Sequence, residues 1–432
     1  MSTTGFTGAR STQDWAANQR PQNYRELIAY LYPNGSAPLT ALTAMIKSEK
    51  VDDPHFHWWT KTLPVQGGAI LGAYTDTALS SAYTSGATKG TTLYFNVAEA
   101  TANHFRVGHQ ALMRDASDLT VDTIGRVVTV VKNGASSYIG VELLENDDNS
   151  SSGDLSDADT ILVKGNINAE GAAMPSALSY DPVEFENRTQ IFRTPLDITR
   201  TALHTYLRTG DAYKELKRET LMLHSIELEK AFLWSIMTSG VGDNGKPMRT
   251  TMGVVPMIKT YAPNNVLDFR TDPNYSGQTW LAAGEEWFDN ALELPFRWSE
   301  GRDLLALCGS GAKLGLTRLA KAGGYIQINP KTKYFGLDVE EWIGNAGRLM
   351  VKVHPLMSQE TTERNSMIIL DAARLRYRFI TDTMFKPDDR MKKGSWSNVD
   401  GIKEEFLTEA GLEYLHPDSF AYFTGVGQDN VV

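Results

Sequence analysis

Along residues 211–238, DAYKELKRETLMLHSIELEKAFLWSIMT, apolar side chains return at helical spacing on two stripes. Leu216, Leu223, Ile226, Leu233 and Met237 form one, and Leu221, Leu228, Ala231 and Phe232 form the other. This predicts a single long helix that must be covered on two sides, a spine on which other layers pack. The sequence around it is strand-rich. RVVTVV (126–131), YIGVELL (138–144) and TILVKG (160–165) are short β-branched runs separated by turn residues, which predicts a small barrel or meander. Residues 183–205, VEFENRTQIFRTPLDITRTAL plus flanking positions, read as a strand leading into the spine.

After the spine, 239–247 (SGVGDNGKP) reads as a loop. A mixed α/β stretch follows, with helices expected over 279–294 and 311–322 and strands over 303–308, 348–353, 367–371 and 374–380. Before the spine the pattern weakens. Residues 1–25 are polar and read as an extended arm. Residues 24–47 predict a short helix, a Pro33-Asn34-Gly35 turn and a second amphipathic piece. Residues 56–107 hold FHWWTKTL and a run rich in Gly, Ala, Ser and Thr, which reads as a projecting hairpin or long loop.

Composition narrows the function classes. The chain has 432 residues, is 41% hydrophobic and carries a formal net charge of −10. It has no long basic run, so it does not grip nucleic acid electrostatically; near DNA it would contain rather than bind it. Cys308 is the single cysteine, which excludes an intramolecular disulfide and a cysteine-based metal cluster. The N-terminus lacks an apolar signal core, and no run is long enough to span a bilayer.

Candidate chemistry is sparse. Gly240-Val241-Gly242-Asp243-Asn244-Gly245 spells G-x-G-x-x-G, but a helix precedes it and Lys246-Pro247 follows, so a turn is expected. Gly309-Ser310-Gly311-Ala312-Lys313 sits between strand and helix yet lacks the Lys-Ser/Thr pair of a phosphate loop, which leaves helix capping. Asp148–Asp159 resembles a calcium loop, with Gly153 at position six and Asp159 at twelve, but Ser150 and Ser152 replace acidic ligands. His55 and His57 alternate beside Trp58 and Trp59; two imidazoles share a face, with no third ligand close in sequence. Packing or interface use is expected there. Arg374, Arg376 and Arg378 alternate with Leu375, Tyr377 and Phe379, putting three guanidinium groups on one strand face. That face is solvated, paired with acidic groups of a neighbouring subunit, or in contact with DNA. No catalytic, cofactor-binding or metal residues are assigned; Arg374, Arg376, Arg378, Trp58 and Trp59 stand as inter-subunit contact candidates.

The order of segments carries more than any motif. Asn187-Arg188-Thr189-Gln190-Ile191-Phe192 followed by Leu196-Asp197-Ile198-Thr199-Arg200-Thr201-Ala202, the helix bearing Glu215, Arg218, Glu219, Glu227 and Glu229, and then Phe335-Gly336-Leu337-Asp338-Val339, Gly347-Arg348-Leu349, His354-Pro355-Leu356 and Ile368-Ile369-Leu370-Asp371 succeed one another. Together they resemble major capsid proteins of tailed bacteriophages with the HK-97 fold, over most of the chain.

The resemblance implies an α+β fold with these parts: an N-terminal arm (1–25), an N-terminal helical segment (26–55), an extended loop (56–107), a β insertion (108–175), a peripheral domain with the spine (176–278), an axial domain (279–375) and a C-terminal return to the peripheral domain (376–432). It implies a non-enzymatic, self-assembling subunit of an icosahedral shell around double-stranded DNA, built from pentamers and hexamers and expanding from a precursor. Implied partners are further copies of the chain, a separate scaffolding protein, a portal and a decoration protein, with no membrane and no cofactor. The implied location is the virion, after assembly in the host bacterial cytoplasm. Nothing marks Lys61 or Lys89 as the lysine of the covalent cross-link some relatives make. Two rivals stand beside this reading: an encapsulin-like compartment enclosing a cargo enzyme, and a β-rich ligand-binding protein.

Overall fold

The computed structural model describes residues 46–61, 65–147, 155–171, 173–205, 211–299, 303–322, 332–334, 337–344, 347–388 and 400–432, with Thr43 and Gly301 besides. The expected arm and most of the expected N-terminal helical segment lie outside these residues, as do Phe335 and Gly336. The described chain forms two compact units: the residues up to Thr60 with Glu184–Val432, and Lys61–Val183 between them in sequence.

The larger unit begins with strands β1 (Ser48–Lys50) and β2 (His55–Thr60). In β2 the alternation is strict: Phe56 and Trp58 are buried while His57 and Trp59 are exposed.

The second unit is a closed barrel. Its strands are β3 (Gly67–Tyr74), β4 (Thr92–Val97), β5 (His109–Arg114), β6 (Asp122–Val131), β7 (Tyr138–Leu143) and β8 (Thr160–Asn166), in the spatial order β3-β4-β7-β6-β5-β8. All pairs are antiparallel. Period-two alternation sends Leu93, Phe95, Val97, Ala111, Met113, Val127, Ile139, Val141 and Ile161 into a core that fills the interior. Closure leaves no strand edge. The β unit expected over 108–175 is therefore real but incomplete, because β3 and β4 come from the stretch expected to be an extended loop. The Gly-rich sequence misled for a physical reason. A Cβ at Gly67 would sit 2.5 Å from Leu162 Cδ2, and one at Gly68 2.4 Å from Thr101 Oγ1. These glycines permit close approach inside a strand rather than loop flexibility.

The chain re-enters the larger unit through β9 (Val183–Arg188), which pairs with β2, and β10 (Gln190–Thr199). The expected lead-in strand is thus two strands, broken at Thr189. The long helix then runs Ala212–Trp234, capped by Asp211, whose carboxylate accepts from the amides of Tyr213 and Lys214. Next comes a two-stranded hairpin, β11 (Thr238–Val241) and β12 (Pro247–Thr250), where a loop was expected.

The remaining strands are β13 (Val266–Asp268), β14 (Asp303–Cys308), β15 (Thr332–Tyr334), β16 (Leu337–Ile343), β17 (Arg348–Val353), β18 (Met367–Leu370), β19 (Leu375–Lys386), β20 (Gly401–Tyr414) and β21 (Ala421–Thr424). They make two sheets. A four-stranded sheet has the order β1-β19-β20-β10, and a seven-stranded sheet the order β13-β21-β18-β14-β17-β16-β15. The DLLALC run of β14 is central and buried on both faces, as expected of a strand between two layers. Leu304, Ala306 and Cys308 face the helices Trp280–Trp298 and Ser310–Ala322. Leu305 and Leu307 face a core shared with Phe192, Leu228, Phe232, Leu233 and Tyr377. One core thus joins the long helix, the four-stranded sheet and the seven-stranded sheet. The α/β layer expected over 279–375 also takes β13 and β21 from outside those bounds. The fold is α+β, with the long helix, β insertion and α/β layer in the order that the resemblance to HK-97-type capsid proteins implies.

Candidate functional site

The long helix buries polar side chains in line with the expected apolar ones. Thr220, His224, Leu228 and Phe232 recur every fourth residue and are buried, with Glu229 and Leu233 beside them. His224 is satisfied on both ring nitrogens: Nδ1 lies 2.9 Å from Thr194 Oγ1 and Nε2 2.8 Å from Thr408 Oγ1. Burial holds its imidazole below the usual histidine range, opposed by Glu227. Glu229 Oε1 lies 2.7 Å from His354 Nε2, with both side chains fully buried. These contacts tie the helix to β10, β20 and the start of the helix Pro355–Gln359. Both apolar stripes are covered only in part: Leu228 and Phe232 of one and Leu233 of the other are buried, while Leu221 and Leu223 are 43% and 47% exposed. The expected two-sided coverage therefore holds towards the helix C-terminus and not around Leu221 and Leu223.

The hairpin β11–β12 leaves Val241 and Met248 74% and 59% exposed, with Ile236 exposed at its base. The G-x-G-x-x-G letters run from the end of β11 through the turn, with Gly245 at φ +72°, so they serve a hairpin. A two-stranded hairpin without further cover is marginal in water.

The contact candidates divide. Trp58 is buried, donates from Nε1 to the Tyr414 carbonyl at 2.8 Å and stacks between Phe56 and Phe185. Trp59 points the other way and is exposed. Arg374 is buried and pairs with Asp371 at 3.4 Å. Arg378 bonds Glu413 and lies 2.6 Å from Glu49, both in its own chain. Arg376 stands opposite Glu413 in register, half-buried, and has no ion pair among the described residues. The expected alternation holds over 375–379, with Leu375, Tyr377 and Phe379 packed in or against the core.

The remaining motifs resolve as structure. The amides of Gly311 and Ala312 both donate to the Arg364 carbonyl, at 3.0 and 3.1 Å, and that of Ser310 donates to Ser358 Oγ. The helix start is occupied by protein and offers no phosphate cradle. Of the calcium-like loop, residues 148–154 lie outside the described residues, and the twelfth-position carboxylate of Asp159 accepts from the Ala116 amide at 2.8 Å. Burial pushes the Cys308 thiol up to about 12, so it is neither nucleophile nor ligand at neutral pH. On the second unit an open, polar cleft of about 450 Å³ is lined by Gln66, Arg106, His109, Lys164 and Tyr180. Arg106 Nε donates to His109 Nε2 at 3.0 Å, and burial, then Arg106, hold that imidazole below the usual histidine range.

Pairing of β2 with β9 also assembles a cluster that the sequence conceals. His55 Nε2 lies 2.8 Å from Glu186 Oε2, and His57 Nδ1 lies 2.9 Å from Glu184 Oε1. The His55 and His57 rings are 4.2 Å apart. The only sequence signal is the repeated alternation, H-F-H in β2 and E-F-E in β9, which puts both polar pairs on the face opposite core-packed aromatics, Phe56 buried and Phe185 half-buried.

Comparison with known proteins gives a consistent picture. The curated major capsid protein of Pseudomonas phage PaMx41 is 25% identical over 413 residues, covering 91% of this chain and 90% of the relative. Among solved structures, a chain of Microbacterium phage Oxtober96 is 11% identical and covers 96% of this chain and 98% of its own, with a TM-score of 0.44. The holo-SrpI encapsulin complex from Synechococcus elongatus PCC 7942 is 12% identical and covers 57% of this chain and 76% of its own, with a TM-score of 0.37. The family model described as SU10 major capsid protein matches residues 2–427. That span takes in both compact units and nearly every described element, and the chain belongs to the SU10 major capsid protein family.

Proposed function

We propose that the chain is the shell-forming subunit of a tailed phage, closing with its copies into an icosahedral capsid around double-stranded DNA, and that its role is structural rather than catalytic. The family match over residues 2–427 carries this reading. The surface of the single chain supports it: Leu221, Leu223, Ile236, Val241, Met248 and Trp59 are large, apolar and exposed. Each is a modest contact. Multiplied over many neighbours, modest contacts give a stable shell that still corrects errors as it grows.

In this reading copies form pentamers and hexamers, the α/β layer meets its equivalents around the symmetry axes, and residues 61–183 reach towards a neighbour. Of the five contact candidates, Trp59 and Arg376 make the direct contacts. Trp58, Arg374 and Arg378 brace the strands that carry them. The net charge of −10 suits a wall that must let DNA move during packaging and ejection. A separate scaffolding protein, a portal and a decoration protein complete the particle, which assembles in the host cytoplasm.

The test is electron microscopy with light scattering of the full chain, expressed alone and with its neighbouring genes. Uniform shells, or pentamers and hexamers that close when a scaffold is added, are expected. A monodisperse monomer near 47.8 kDa under every condition would contradict the proposal. Shells that always carry one enzyme and no DNA would replace it with a compartment.

A further inference from the structure

We propose that His55, His57 and Glu186 form a binding site for a divalent first-row transition cation of the zinc class, with Glu184 as the residue that positions His57. The ligand-bearing atoms of the first three residues all lie within 4.8 Å of one another. Ligands on a tetrahedral zinc stand about 3.4 Å apart for bonds of about 2.1 Å. The His55–Glu186 separation of 2.8 Å therefore needs to open by only a few tenths of an ångström, which side-chain rotation supplies.

The site is built from below. Phe56 and Trp58 alternate with the histidines, Phe185 lies between the two glutamates, and Trp58 stacks on both phenylalanines at 6.0 and 6.1 Å. Phe185 in turn meets Tyr261 edge-on at 5.0 Å. These inward contacts fix the strands, so the outward imidazoles and carboxylates converge without ordering a loop. Glu184 Oε1 lies 2.9 Å from His57 Nδ1, and a hydrogen bond between the two in the loaded site would set the ring's orientation and raise its basicity as a ligand. His55, His57 and Glu186 are 33%, 36% and 39% exposed, leaving an entry path and a fourth position for water. Two imidazoles and a carboxylate favour zinc, nickel or cobalt over magnesium or calcium, which take oxygen ligands.

The ion would join segments 131 residues apart. The loop it closes contains the whole second unit, so it would act as a clip on the strands from which the chain departs and to which it returns. Binding the folded chain and not the unfolded one, it would raise stability with zinc concentration.

The experiment is calorimetric titration of the untagged, chelator-treated full chain with zinc chloride and with magnesium chloride, beside thermal melts. One equivalent of zinc per chain is expected, with a melting temperature that rises with zinc and no response to magnesium. Glu186→Gln keeps a hydrogen bond to His55 but removes a ligand, so the chain still folds; this variant, His55→Gln and His57→Gln should each weaken binding at least tenfold. Glu184→Gln should weaken it less. No stoichiometric zinc binding, or affinity unchanged in Glu186→Gln, would overturn the proposal.

Discussion

In the barrel formed by β3–β8 every strand has two neighbours, and Phe95, Val97, Ile139 and Val141 are wholly buried. In the larger unit the hairpin β11–β12 pairs only with itself, and the long helix leaves Leu221 and Leu223 in solvent on two different sides. Apolar groups reach solvent on the barrel too, as Leu71 does, but on strands already paired on both sides. The difference is one of self-sufficiency. The barrel satisfies its own backbone and fills its own core. The larger unit has an equally dry interior, yet among the described residues it leaves open sheet edges and exposed apolar side chains. In the proposed shell the first kind of region would hold its shape unaided and the second would be completed by assembly.

The comparison breaks most directly in the cores. Phe232 is 1% exposed and meets Phe192 and Tyr377 edge-on, while Phe95 is fully buried in the barrel. Phe232→Ala and Phe95→Ala should each cost about 3–5 kcal/mol in denaturant unfolding. If the barrel is self-sufficient, each substitution shifts a different transition; a single shared transition would mean the two units fold as one. The adjacent tryptophans sharpen the contrast within one strand. Trp58→Ala should cost about 3–5 kcal/mol. Trp59→Ala should stay within about 0.5 kcal/mol on the unassembled chain while lowering the yield of shells. The pair Val241→Ser with Met248→Ser should likewise leave the melt of the single chain unchanged and reduce assembly, read by light scattering.

The smallest expected effect is on pH dependence. Folded His224 resists protonation, whereas unfolded it takes a proton near 6.5. Its contribution to stability is therefore complete above that pH and declines as pH falls towards the depressed folded value. His224→Gln should flatten this part of the acid limb, seen as a denaturation midpoint that changes less between neutral pH and mildly acidic pH. A wild-type midpoint that rises on acidification would reverse the sign and refute the assignment.

Much of the fold was legible wherever pairing is local or burial is complete. The helix expected over 211–238 runs Ala212–Trp234, and DLLALC is a strand over its full length. What failed depended on distant partners. The barrel order places β3 against β8 and β4 against β7, so β3, read alone, is a glycine-rich tract with no visible reason for its glycines. The burial of His224 and Glu229 on the long helix has no local signal, because Thr194, Thr408 and His354, which make them buriable, lie on other elements. Arg378 was offered to a neighbouring subunit because Glu413, its own partner, stands on the paired strand 35 residues later. The His–Glu cluster was half visible: H-x-H marks a face, but its carboxylates arrive only when β9 closes on β2.

The central claim is that the exposed apolar surface of the larger unit is completed by other copies of the chain. A cryo-electron microscopy map of the assembled shell, at a resolution that shows side chains, tests it most directly. The account predicts that Trp59, Leu221, Leu223, Val241 and Met248 are covered by a second copy while the barrel interior keeps the packing of the single chain. A shell in which those residues remain in solvent, with its contacts made elsewhere, would contradict it.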